Sequence, residues 1–346
     1  MSVIKVAMLS TFALDFFTTL AIAILAVFLG LRLINGHLLL FPTLAILILA
    51  PEYFLPIRNF ASDYHATLNG KNSFHAVRRI LEMPLPKRPT VELHQWTGVD
   101  GLSFENVEFM YPQNGSELTN LDLTVKGNQK IGIIGMSGAG KTTLINLLSG
   151  FLAPTSGQIT IQGKKVTTLD IYDWQKQILY IPQTPYIFAD TLKNNIAFYT
   201  PNVSEDKIKE AIHVVGLDNL VAELPQGLET MIGSGHRALS GGQAQRIALA
   251  RAFLDPERRV MILDEPTAHL DIETELELKK RMLPLMKNRL VFFATHRLHW
   301  MKQMDYILVL KNGKLIEQGT YQQLLDKHGY FTELMDQTRG KEITHE

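Results

Sequence analysis

KIGIIGMSGAGKTTLINLL, residues 130–148, decides the fold. Lys130–Ile134 is a compact apolar run of strand length. It leads into Gly135-Met-Ser-Gly-Ala-Gly140-Lys141-Thr142-Thr143, and an apolar helical stretch, Leu144–Leu148, follows. Strand, glycine loop and helix in this order are the context that a phosphate-binding P-loop requires. Gly135, Gly138 and Gly140, with Ser137 among them, let backbone N–H groups turn inward around a polyphosphate. The positive end of the following helix points at the same place. Lys141 adds a point charge for the β- and γ-phosphates, and the hydroxyl of Thr142, with Thr143 beside it, can ligate Mg²⁺. A glycine-rich turn that merely packs is the alternative, and the strand–loop–helix context argues against it.

A second acidic site lies downstream. Val260-Met-Ile-Leu-Asp264-Glu265 is four apolar residues ending in two acids, with Pro266 closing the run. A buried strand that delivers a carboxylate at its C-terminal end suits a parallel sheet, where ligands sit at those ends. Asp264 is placed to hold Mg²⁺. Glu265 points elsewhere and can polarise an attacking water, which needs a reach of about 2.6–3.2 Å. The motif is weak alone and strong beside a P-loop.

Leu239-Ser240-Gly241-Gly242-Gln243 precedes a helix that runs from Ala244 to about Leu254. Small residues at a helix start make a further anion site. On this pentapeptide the chain resembles the ATP-binding-cassette (ABC) proteins, whose signature it is, over residues 102–338. The resemblance implies an α/β P-loop NTPase cassette with a RecA-like core, an antiparallel β subdomain and a helical signature subdomain, using ATP and Mg²⁺. Tyr111, in Phe-Met-Tyr-Pro, matches the aromatic that stacks on adenine. Gln183, in Ile-Pro-Gln-Thr-Pro, matches the glutamine that senses Mg²⁺ and the membrane domain. Asp271, in Ala-His-Leu-Asp, matches a loop that crosses to a partner, although Ala268 and His269 stand where the family more often has Ser or Gly. His296, in Ala-Thr-His-Arg after the apolar run Leu290–Ala294, matches the switch histidine at the γ-phosphate. Gly235-His236-Arg237 stands where exporters carry a loop that contacts the partner's coupling helix. By resemblance, Glu265, His296 and Lys141 are the catalytic set. Thr142, Gln183 and Asp264 surround the metal. Ser240, Gly241, Gly242 and Gln243 meet the ATP held by a second cassette, so the resemblance implies a dimer.

Composition sets the limits around these motifs. The 346 residues include no Cys, which excludes disulfides, Cys-zinc sites and thiol nucleophiles. Apolar residues make up 46 %, enough for a sizeable core and too many for a disordered chain. Net charge is zero and gives no electrostatic argument for a nucleic-acid partner. The zero hides a split: residues 1–90 hold eight basic and four acidic residues, and the remainder is acidic by the same margin.

That basic head is apolar. From Val6 to Leu31 the only charge is Asp15, and from Leu38 to Ile57 the only charge is Glu52. A span needs about 20 helical residues, so the runs 6–31 and 38–57 read as an all-α transmembrane hairpin. Lys5 before it and Arg58, Lys71, Arg78 and Arg79 after it put both ends in the cytoplasm. Asp15 and Glu52 are candidate pathway residues, because carboxylates inside a membrane usually face a cavity or a partner. Pro42, Pro51 and Pro56 are expected to bend the second span. The helix then continues, now polar, to about Glu82. Met83–Gly101, opening with three prolines in seven residues, reads as an extended linker, and residues 339–346 as a tail.

Helices before a cassette in one chain resemble an exporter half-transporter of the cytoplasmic membrane. Such halves carry six spans and this sequence has two, which leads us to expect further apolar spans encoded upstream of Met1. Leu47–Arg58 (LILAPEYFLPIR) with Tyr64-His65-Ala66 is similar to the cysteine/glutathione exporters that support cytochrome bd assembly, on the side of their CydD-type halves. That resemblance implies a heterodimer with a CydC-type half, a lipid environment and a small thiol as substrate. A lipid, peptide or drug exporter half, in a homodimer or otherwise, is the alternative, as is an ATP-binding remnant without transport.

Overall fold

No proline interrupts residues 2–34, and they form one helix, α1 (Ser2–Ile34). Its end is fixed by the chain itself. The His37 N–H donates to the Arg32 carbonyl at 3.0 Å and the Gly36 N–H to the Leu33 carbonyl at 3.1 Å, with Gly36 at φ +70°. This pair of bonds needs a left-handed residue, and only glycine takes that conformation at little cost. The chain turns into α2 (Leu40–Leu81), and the two helices pack on each other. Pro42 lies in the first turn, where its missing N–H is harmless, while Pro51 and Pro56 sit in the interior without ending the helix. The computed structural model describes residues 2–83, 88–112, 117–268, 270 and 272–343.

Of the two expected spans, Phe12–Ile34 is long and apolar enough to cross a membrane, whereas the apolar part of α2, Leu40–Pro56, is shorter. Phe12, Phe17, Ile24 and Val27 of α1 point outward and are exposed. Asp15 is half-buried and Glu52 exposed. Residues 1–86 form one unit and residues 87–346 another.

The second unit holds twelve strands among its described residues. In chain order they are β1 (Gly101–Met110), β2 (Glu117–Lys126), β3 (Lys130–Ile134), β4 (Ser156–Ile161), β5 (Lys164–Val166), β6 (Ile178–Ile181), β7 (Asp190–Thr191), β8 (Met231–Ile232), β9 (Val260–Asp264), β10 (Leu290–Ala294), β11 (Tyr306–Lys311) and β12 (Lys314–Gly319). Its helices are α3 (Lys141–Leu148), α4 (Tyr172–Lys176), α5 (Leu192–Ile196), α6 (Glu205–Val215), α7 (Asp218–Glu223), α8 (Gly241–Leu254), α9 (Ile272–Leu285), α10 (Tyr321–Asp326) and α11 (Tyr330–Ile343). Ten strands make one sheet in the order β5-β4-β1-β2-β12-β11-β3-β10-β9-β6, and β7 pairs with β8. From β11 through β3, β10 and β9 to β6 the strands are parallel. β1 is antiparallel to β2 and to β4, and β4 to β5. A parallel nucleotide-binding core, an antiparallel wing and a helical insertion, α5 to α8, are thus the three parts expected from the sequence.

Side chains alternate across the sheet with period two. On β10, Val291 and Phe293 enter one apolar cluster, while Leu290, Phe292 and Ala294 enter the other. Helix α3 contributes Leu144, Ile145, Leu147 and Leu148 to the second cluster. Helix α8 contributes Ile247, Ala248, Leu249 and Ala250 to the first. The helix after the P-loop and the helix after the signature therefore pack on opposite faces of one sheet. Each buried Leu, Ile or Phe of these faces contributes about 1.5–3 kcal/mol.

Residues 88–100, read from sequence as part of an extended linker, belong to the second unit and are pinned to it. Trp96 is buried edge-on against Trp174 at 5.8 Å, and its Nε1–H donates to the Gly127 carbonyl at 3.1 Å. Leu93 and Trp96 donate their N–H groups to Asp173 and Gln177, and His94 exchanges hydrogen bonds with Gln162. Gln162, Trp174 and Gln177 lie far in sequence from residues 93–96, so no local pattern marks the clamp.

Candidate nucleotide site

Three neighbouring strands deliver the site. The parallel ladder sets Ile133 of β3 and Asp264 of β9 both opposite Ala294 of β10. The Glu265 N–H donates to the Ala294 carbonyl at 2.8 Å, and the Thr295 N–H to the Ile133 carbonyl at 3.0 Å. The strands end level, so the glycine loop, Glu265 and His296 open at one edge of the sheet.

The glycine loop enters α3 through Gly140, which lies at φ +103°, a conformation a side chain would strain. Ser137, Gly138 and Thr142 are exposed on the loop and Thr143 is half-buried. Lys141 is buried. Its Nζ donates to the carbonyls of Gly135 at 2.9 Å and Met136 at 3.3 Å and lies 3.8 Å from Glu265 Oε1. The Tyr111 hydroxyl is 3.5 Å from Thr143 Oγ1, and its ring meets Phe109 edge-on at 4.7 Å. A half-buried aromatic thus stands beside the start of α3, where a base would follow phosphates held by the loop.

The acidic pair divides as its spacing suggests. Asp264 is buried, and burial pushes its carboxyl up against the opposing hydrogen bond of the Thr142 hydroxyl. A desolvated carboxylate touching a hydroxyl is a two-oxygen set that would suit a small hard cation such as Mg²⁺. The donor set fits that ion. Tyr180 of β6 is close enough that burial, with the Asp264 charge, pushes its hydroxyl up to about 12.

Glu265 has φ +49°, in the left-handed region. For a side-chain-bearing residue that costs about 1–2 kcal/mol, and such strain is tolerated where the surroundings over-determine it. The turn leaves the carboxylate with one oxygen 2.5 Å from His296 Nδ1 and the other facing Lys141. The His296 hydrogen bond, then the charges of His296, Lys141 and Arg297, hold the Glu265 carboxyl below its usual range despite burial. It is ionised at neutral pH. Lys141, Asp264, Glu265, His296 and Thr142 are therefore one constellation, with Tyr111 and Thr143 flanking it.

The other sequence-derived candidates lie apart from it or beyond the described residues. Gln183 is exposed just after β6. Ser240 caps α8: its hydroxyl accepts from the Gln243 N–H at 3.2 Å, and the Gln243 side chain accepts from the Ser240 N–H at 2.9 Å. That reciprocal box presents Gly241 and Gly242 at the start of α8. Gly235-His236-Arg237 is exposed, and Arg237 lies 3.7 Å from Glu223. Asp271 and His269 lie outside the described residues.

One group was missed from sequence. Glu275 of α9, with Thr267, Arg297 and Trp300, forms a buried polar knot directly behind the turns of Glu265 and His296. A signal existed: Glu275, Leu278 and Met282 share one buried stripe at helical spacing, and an acid on such a stripe requires partners.

A family model described as ABC transporter matches residues 118–268. This span holds the glycine loop, Asp264, Glu265 and the signature. The chain carries an ABC transporter ATP-binding domain. Over 342 residues, 99 % of the chain, it is 54 % identical to the glutathione/L-cysteine transport system ATP-binding/permease protein CydC of Bacillus subtilis. Over 347 residues it is 34 % identical to the corresponding CydD protein of Escherichia coli. The chain spans 59 % and 58 % of the lengths of those two proteins. A solved bacterial Atm1-family ABC exporter with ATP bound superposes with a TM-score of 0.68 at 26 % identity, over 95 % of this chain and 58 % of that one. The ABC cassette thus follows a helical unit here as in an exporter, and the ATP-binding domain is that of a family of transport ATPases.

Proposed function

We propose that this chain is the ATP-hydrolysing part of an exporter half that moves a small thiol, cysteine or glutathione, out across the cytoplasmic membrane. The observation that carries the ATPase reading is the contact of Glu265 with both His296 and Lys141 at the edge where the glycine loop opens. Lys141, released from the loop carbonyls, binds the β- and γ-phosphate oxygens. Tyr111 stacks on the base. Glu265 is held ionised, so it is a weak proton acceptor. Its part is chiefly to orient and polarise the attacking water, while His296 holds the carboxylate and meets the charge that develops on the γ-phosphoryl group. Thr142 and Asp264 would hold Mg²⁺, which would neutralise phosphate charge when bound; Gln183 stands exposed just after β6.

A second cassette is part of this reading. The capped start of α8 is exposed at Ser240 and Gly241, and among the described residues no hydrogen bond joins it to the glycine loop, which supports its serving a nucleotide held by a partner. Two ATP molecules then bridge two cassettes, and their hydrolysis releases the bridge, a ligand-driven shift of population. The thiol reading is supported by the CydC and CydD relatives, whose similarity runs through the helices as well as the cassette. The partner is then a related half of the same system.

The test is ATP hydrolysis by membranes holding the full-length protein with and without that related half, alongside Glu265→Gln. Partner-dependent hydrolysis that rises with cysteine or glutathione and is lost in the mutant is the expected result. Full activity without the partner and indifference to thiols would instead mark a homodimeric exporter of a lipid, peptide or drug.

A further inference from the structure

Glu275 sits at the start of α9 with its side chain about 2 % exposed. Its Oε1 accepts from the Thr267 hydroxyl at 2.7 Å and from the Trp300 indole N–H at 2.7 Å, and His299 Nε2 lies 3.4 Å away. Its Oε2 pairs with the Arg297 guanidinium, whose other arm donates to the Leu270 carbonyl at 2.9 Å. The partners come from two separate turns. Thr267 is two residues after Glu265, and Arg297 is the residue after His296. One buried carboxylate therefore ties together the backbone that carries Glu265 and the backbone that carries His296. It roots both in α9, whose Leu278 and Met282 are packed in the core.

We propose that Glu275 is a positioning residue for ATP hydrolysis: through Thr267 and Arg297 it locks the Glu265 turn and the His296 turn as one body, so that the carboxylate and the imidazole keep their contact. This rests on the roles given above to Glu265 and His296. The physical ground is that Glu265 occupies a strained backbone conformation, and such a conformation persists only when neighbours over-determine it. The Glu265–Ala294 backbone bond fixes one side of the turn. The Glu275–Thr267 bond fixes the other. A displacement of about 1 Å at reacting groups can cost about 100-fold in rate. Loosening the turn is therefore felt in turnover more than in binding, because Lys141 and the glycine loop are carried by β3 and α3, and Tyr111 by the end of β1.

The experiment measures kcat and KM for MgATP on the full-length protein assembled with its partner half in lipid vesicles. Turnover is expressed per site counted by ATP binding, so that misfolded molecules drop out. The variants are Glu275→Gln, Arg297→Gln, the double variant and Glu265→Gln. Glu275→Gln and Arg297→Gln are each expected to lower kcat by about 10–100-fold with KM changed less than about threefold. The double variant is expected to be no slower than the slower single, because both remove the same tie. Wild-type kcat in both singles, or losses that multiply in the double, overturns the proposal while Glu265→Gln remains inactive. Hydrolysis by Glu265→Gln at the wild-type rate overturns the underlying assignment instead, so the two failures are distinct. Should Glu275→Gln not fold, Thr267→Val decides. It keeps the ion pair and removes one anchor, and a fall in kcat of about three- to tenfold at constant KM supports the proposal, whereas an unchanged kcat refutes it.

Discussion

Acid should weaken the Glu275 knot, and by a predictable amount. Burial works against the charge of this carboxylate. The hydrogen bonds from His299, Trp300, Thr267 and Arg297 outweigh burial and draw the carboxyl from 4.5 down to about 2. A group whose proton is bound less readily in the folded chain than in the unfolded one stabilises the fold at pH values above its unfolded value. That contribution fades as the pH falls from about 4.5 towards 2. At neutral pH it amounts to about 3 kcal/mol, a large share of the 5–15 kcal/mol typical of a domain. Glu275→Gln cannot titrate and lacks this contribution throughout. The difference in stability between the two proteins should be greatest at pH 7 and should narrow by about 1 kcal/mol by pH 3.5. The assay is urea unfolding followed by intrinsic fluorescence. The three tryptophans, Trp96, Trp174 and Trp300, all lie in residues 87–346 and report that unit alone. A gap that stays constant from pH 7 to pH 3.5, or widens, would refute the assignment of a charged, fully bonded Glu275.

Three further outcomes are expected. Lys141→Met should abolish high-affinity ATP binding, measured by equilibrium binding of labelled nucleotide, while leaving the melting temperature within a few degrees, since the lysine's hydrogen bonds go to the Gly135 and Met136 carbonyls and its ion pair with Glu265 is a long 3.8 Å. Trp96→Ala should cost about 3–5 kcal/mol of unfolding free energy in the same urea assay, because it empties a buried site against Trp174 and removes the bond to Gly127. Ser240→Ala should cost only about 1 kcal/mol as a lost helix cap, yet it should lower hydrolysis by the assembled pair far more than that figure implies; activity at the wild-type level would separate the signature from the partner's nucleotide.

The sequence was most legible where chemistry and backbone conformation coincide. Lys130–Ile134 and Leu290–Ala294 are strands with the expected bounds, because short β-rich runs closed by Gly or by a polar turn leave little freedom. The glycine loop, Asp264, Glu265 and His296 come together because each hangs from the end of such a strand. What escaped was long-range. The Trp96 clamp depends on a tryptophan and two glutamines from distant elements, and the Glu275 knot on donors 8, 22 and 25 residues away. The second apolar run was read as a full span and has a shorter apolar stretch than α1 within a helix that continues to Leu81. Periodicity alone marks no boundary there, because the helix persists while only its polarity changes.

Register is what converts these local readings into a site. Side chains on β9 and β10 alternate between the two apolar clusters, so a slip of one residue would send Phe292 and Ile262 to the wrong face. The same ladder fixes how far each strand protrudes, and hence whether Glu265 can meet His296. The cost of a slip in buried apolar area thus also sets how the strand ends are aligned. The strain at Glu265 follows from this alignment. The ladder ends at Asp264, the carboxylate must leave the strand direction within one residue, and a left-handed turn is the tightest way to do so. A residue that has no ladder of its own must be held by side chains, and Thr267, Arg297 and Glu275 stand where that hold is required.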